Sequence, residues 1–166
     1  MKLQKWMLMA ACVVSVTGAA AGQTGVKVEH LQDTKSPIAT AVWAGDTLYV
    51  SGQMASPVTP EDKAKGTPAV YGDTKTQALS VLGKLQNILK AQGLRMGDVV
   101  SMHVYLAGDP ANGGKLDFAG LQSAYTQFFG TTEQPNKPAR ATFQVAALAA
   151  PWGLVEIEVI AVKSSK

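Results

Sequence analysis

The chain predicts an α+β fold, a mixed β-sheet with two helices on one face, in the order β-β-β-α-β-α-β-β. Six short segments alternate apolar and polar residues with the period of two that marks a half-buried strand. Two others repeat apolar residues at helical spacing, and a glycine follows each. At 166 residues the chain has the length of one domain.

Val26-Lys27-Val28-Glu29-His30 alternates and reads as the first strand. Ala39–Trp43 and Thr47–Ser51 flank Ala44-Gly45-Asp46, a turn that makes them a hairpin. Residues 56–67 are rich in Pro, Gly and charge and form a surface loop. Ala78, Leu79, Leu82, Leu85 and Leu89 then set a helical stripe, with Lys75, Ser80, Lys84 and Lys90 elsewhere on the wheel. Asp73 or Thr74 caps its start, Thr74 to Gln77 fits a capping box, and Gly93 suits its end. Val100, Met102, Val104 and Leu106 line one face of a fourth strand. A turn-rich loop, 108–115, leads to a second helix marked by Phe118, Leu121, Tyr125 and Phe128 and closed by Gly130. Strands near 139–145 and 154–162 finish the chain, joined by a short loop. Read as neighbouring antiparallel strands, they bring Arg140 and Glu156 within reach of one cleft. Two helices cover only one sheet face, yet strand 99–106 carries semi-polar residues on its other face, so that face is expected to meet partners.

The first 21 residues have the layout of a secretory leader: Lys2 and Lys5, an apolar run from Trp6 to Val16, and small residues at Ala19-Ala20-Ala21. The run is short for a membrane span, which needs about 20 apolar residues. A lipoprotein signal ending at Cys12 is the minor alternative. Cleavage near Ala21 leaves residues 22–166 as a single domain in a periplasmic or secreted protein with no stable membrane anchor. It removes two lysines and no acid, so the formal charge falls from +3 to +1. A nucleic-acid partner then loses its electrostatic support. The only cysteine goes with the leader, which excludes a disulfide or a cysteine metal site. His30 and His103 are far apart and neither has a partner at ligand spacing, so no metal is expected.

Three positions stand out chemically. Arg140 offers a rigid fork of donors that matches a carboxylate, or else a structural ion pair. Glu156 and Glu158 share a strand face, where adjacent carboxylates can raise one another's pKa, or else form a solvated edge or interfacial salt bridges. Gly52, after Ser51, permits close approach of backbone to a ligand, or else marks a bulge.

The run Pro138-Ala139-Arg140, its apolar alternation and Val155-Glu156-Ile157-Glu158 resemble the C-terminal signature of the RidA (YjgF) family. The stretch from Ser36-Pro37-Ile38 to Val50-Ser51-Gly52-Gln53 resembles its N-terminal hairpin. The helix around Leu79–Leu89, the strand 99–106, and Tyr125, Phe128 and Phe129 follow in family order, so the likeness covers about Val26 to Val162. The resemblance implies a chorismate-mutase-like fold in homotrimers, whose sheets close around a central barrel with active sites between subunits. It implies an imine or enamine deaminase that converts small 2-imino or 2-aminoacrylate-type acids to 2-keto acids and ammonia without a cofactor. Arg140 then holds the substrate carboxylate, Glu156 positions the water, and Ser51 and Gly52 meet the substrate through backbone. Glu158 is left to structure or the interface. The chain departs from the family pattern at three substrate-binding positions: Ile38 replaces a tyrosine, Thr142 a cysteine and Gln122 an asparagine. These departures, with the export signal, leave a second reading, a non-catalytic trimer that binds small carboxylates. Ribonuclease activity, attached to some relatives, fits the near-neutral mature charge poorly.

Overall fold

The computed structural model describes residues 25–164. The leader expected at 1–21 and the alternative at Cys12 lie outside the described residues. The strands are β1 (Val28–Leu31), β2 (Ala41–Ala44), β3 (Thr47–Met54), β4 (Val99–Ala107), β5 (Ala139–Val145) and β6 (Val155–Val162). The helices are α1 (Thr74–Ala91) and α2 (Phe118–Tyr125). The α+β class and the element order match the sequence reading.

The strands form one sheet in the order β1-β2-β3-β6-β4-β5. All neighbours are antiparallel except β4 and β5, which α2 links in a parallel crossover. One sheet face carries the core. Leu48, Val50, Met102, Val104, Leu106, Val155, Ile157, Val159 and Ala161 are buried there beneath Val81, Leu82, Leu85 and Leu89 of α1 and Leu121 and Ala124 of α2. The opposite face is open. It carries Tyr49, Ser101, His103, Tyr105, Glu156, Glu158 and Phe143, with Tyr49 and Phe143 about half exposed.

Three details differ from the sequence reading. First, β5 and β6 are not neighbours, because β4 lies between them. The parallel crossover sends β5 to the sheet edge, so the expected terminal pairing of Arg140 with Glu156 does not form. Second, Thr74 and Gln77 form no capping box. Asp73 is the N-cap and accepts from the Thr76 amide at 2.8 Å, which frees Gln77 for other work. Third, α2 ends at Tyr125, and turns rather than helix carry the chain past Phe128 to Gly130.

Candidate functional site

The expected site residues fall into two groups. The first lies between β5 and α2. Arg140 is the cross-strand partner of Met102 and Thr142 that of Val104, so both side chains point to the helix-covered face. Three residues of α2 receive the guanidinium. Gln122 Oε1 accepts from Arg140 Nη2 at 3.1 Å. The Tyr125 ring lies 4.3 Å beneath the guanidinium carbon, and the Phe118 ring 5.8 Å away. These residues recur at helical spacing along one side of α2, so about two turns of helix aim the cation. Burial raises the Tyr125 phenol above its usual range, and the Arg140 charge partly offsets the rise.

Two donors in this group are left over. Arg140 Nη1 and Thr142 Oγ1 are buried and have no hydrogen-bond partner among the described residues. The two residues are two apart on one face of β5. An unpaired buried polar group costs about 1–3 kcal/mol, more when charged. Two such donors on one strand face suit a ligand that brings two acceptor oxygens, and a carboxylate does.

The second group lies on the open face, around the junction of β3 and β6. Glu156 pairs with Met54 of β3 on one side and Tyr105 of β4 on the other. The β3–β6 register slips between Val50 and Gln53, a bulge that contains Ser51 and Gly52. The Glu156 carboxylate lies directly on Gly52, where any Cβ would overlap Oε1. Glycine here lets the acid rest on the bulge, and any larger residue would make the Glu156 carboxylate shift. The Ser51 hydroxyl faces away from this contact and donates to Ala39 O at 2.7 Å. Ile38, next to Ala39, is exposed, and its backbone is tied to the Ser36 hydroxyl.

The two groups do not meet within one chain. Arg140 stands opposite Met102 and Glu156 opposite Tyr105, three places along β4. An odd offset puts them on opposite sheet faces. The open face has a groove of about 250 Å³ whose walls include Tyr49, Ser51, His103 and Glu158, and Arg140 is not among them.

Sequence reasoning missed a third cluster. His103 Nδ1 lies 2.9 Å from Glu158 Oε1, and the Tyr105 hydroxyl donates to the same oxygen at 3.2 Å. Burial and then the Glu158 and Glu156 charges raise the Tyr105 phenol. Residues 103 and 158 share a face only once β4 and β6 are known to pair, so spacing alone carries no signal for this contact. Among the described residues no three His, Asp or Glu side chains are grouped to hold a metal, and no helix is long and apolar enough to cross a membrane.

Comparison with known proteins places this geometry. The family described as endoribonuclease L-PSP matches residues 29–163. A 2-iminobutanoate/2-iminopropanoate deaminase from Capra hircus is 38% identical over 127 residues, which span 76% of this chain and 80% of the relative. A RutC family protein from Pyrococcus horikoshii is 35% identical over 76% of this chain and 87% of its own. Among solved structures, Escherichia coli TdcF with bound serine superposes with a TM-score of 0.61 at 30% identity, covering 86% of this chain and all of that one. Its sequence carries the name putative reactive intermediate deaminase.

Proposed function

The chain belongs to the endoribonuclease L-PSP family, the RidA/YjgF family, and from that premise we propose that it hydrolyses small 2-imino acids to 2-keto acids and ammonia. The observation that carries the reading is the pair of unpaired buried donors, Arg140 Nη1 and Thr142 Oγ1. They suit the two oxygens of a carboxylate, the group a 2-imino acid shares with the serine bound in TdcF. Relatives named as imine and reactive-intermediate deaminases support the reaction class.

In this reading Arg140 and Thr142 hold the carboxylate, and Gln122 and Tyr125 keep the guanidinium aimed. Glu156 orients a water and takes its proton as the oxygen attacks the imine carbon. Glu156 returns that proton to the former imine nitrogen. The hydroxyl of the resulting carbinolamine then gives its proton, relayed by Glu156, to the amine, which leaves as ammonia as the C–N bond breaks and the carbonyl forms. An imine is already electrophilic, so the residues need supply only orientation and proton transfer. Ser51 and Gly52 offer backbone to the substrate, and Ile38 lines the approach. Because clamp and acid lie on opposite faces of one sheet, the complete site needs the clamp of one copy against the open face of another. We assign that contact to a homotrimer, exported with the leader removed.

The test is the decay of 2-iminopropanoate generated in situ by an amino-acid oxidase. Wild type is expected to accelerate it, and Arg140→Ala to lose about 100-fold or more in kcat/KM, as expected for removal of a charged binding group. Decay unchanged by the wild-type protein would overturn the reading for that substrate. One observation favours the alternative, a carboxylate-binding protein: a lone chain presents the clamp without the acid. Saturable binding of 2-oxobutanoate together with unaccelerated imine decay would establish that role instead.

A further inference from the structure

Glu156 is flanked by two backbone segments, and one helix grips both. Gln77, Ser80 and Lys84 stand three and four residues apart on α1, which lines them up on one ridge. Gln77 is buried, and its amide nitrogen donates to Gly72 O and Trp152 O, each at 3.2 Å, while its Oε1 accepts from Leu154 N at 2.8 Å. Trp152 is held a second time by its stack on Tyr71, with centroids 3.5 Å apart and the planes 4° from parallel. This fixes the chain where it enters β6, two residues before Glu156. Ser80 Oγ accepts from Ser56 N at 2.9 Å, and Lys84 Nζ donates to Met54 O at 2.8 Å. This fixes the exit of β3, and Met54 is the ladder partner of Glu156.

We infer that this polar ridge of α1, with Lys84 at its centre of action, positions Glu156 for the reaction. The inference rests on the deaminase reading for what Glu156 does, whereas the grip itself stands on the hydrogen bonds. Gln77 is buried, whereas Ser80 and Lys84 are partly exposed and spend their polar groups on backbone at the margin of the core. Their contribution is placement. A group that orients water must be held to about 0.5 Å, and a shift of about 1 Å can cost about 100-fold in rate. Lys84 acts from the helix side of the sheet, so it positions the acid through Met54 and touches no substrate.

Lys84→Met keeps the aliphatic stem and removes the donor. We expect its kcat for 2-iminopropanoate to fall about tenfold while KM stays within about twofold, since the carboxylate clamp is untouched. Lys84→Arg should restore most of the rate, and the melting temperature of both variants should stay close to wild type. Amide hydrogen exchange should quicken in Lys84→Met at residues 54–56 and at Glu156, and not along β4. A rate loss that follows a drop in melting temperature, or one that arginine does not rescue, would overturn the inference. So would unchanged exchange at residues 54–56. If the wild-type protein consumes no imine, the deaminase reading falls by itself, and the exchange comparison still decides whether the ridge holds Glu156.

Discussion

Arg140 and Glu156 are constrained in opposite ways. Arg140 is held by side chains, with Gln122 on one nitrogen and Tyr125 beneath the plane, yet one nitrogen is left unpaired. Glu156 is held by an absence, the missing side chain of Gly52. Gly52→Ala should therefore push the carboxylate off the bulge while leaving the core untouched. We expect kcat to fall at least tenfold with melting temperature near wild type, measured by imine decay and thermal unfolding. Thr142 makes a complementary case. Its buried hydroxyl has no partner among the described residues, so Thr142→Val should stabilise the ligand-free fold by about 1 kcal/mol. The same change should weaken 2-oxobutanoate binding in calorimetry. A melting temperature that falls, or an affinity that holds, would remove Thr142 from the clamp. Site residues of this kind commonly give up stability for function.

Each element places its residues through ordinary local chemistry. Asp73 caps α1, and hydrogen bonds first from the Thr76 side chain and then from its amide hold the carboxyl below its usual range. Asp73→Ala should cost about 1 kcal/mol near neutral pH. Because the folded value is depressed, that contribution is present above the unfolded carboxylate range, near pH 4. It disappears as pH falls through the lower folded value. Chemical denaturation of both proteins at pH 7 and pH 2.5 should show the gap closing in acid. A gap that persists would mean the cap acts without its charge. The strands, the hairpin turn and the α1 stripe were legible in the sequence because period and turn residues are local signals. The neighbours of β5 were not. A short loop between Val145 and Val155 suggests a hairpin, and only the crossover through α2 shows that β4 fills the place between. The roles of Gln77 and Lys84 were hidden for the same reason. Gln77 read as part of a capping box and Lys84 as off the apolar stripe, because their partners at Leu154 and Met54 are remote in sequence.

At the scale of the whole molecule, the sheet separates what the chemistry must bring together. The helix-covered face presents a cation and a hydroxyl, and the open face presents an acid on a bulge beside half-exposed Tyr49 and Phe143. In the homotrimer proposed above, a closed ring of copies would join the two kinds of surface at every contact, each subunit giving its clamp to one neighbour and its acid to the other. Such a shared site has a signature that a self-contained one lacks. Arg140→Ala and Glu156→Gln should each be inactive alone. Co-expressed in equal amounts, they should regain about a quarter of wild-type activity, since about one contact in four then pairs an intact clamp with an intact acid. Phe143→Glu would place a charge on the open face and should shift the wild-type assembly toward monomer in light scattering, with imine turnover falling in parallel. A co-expressed mixture as inactive as its parents, or a fully active monomer, would mean that clamp and acid do not work across a subunit contact.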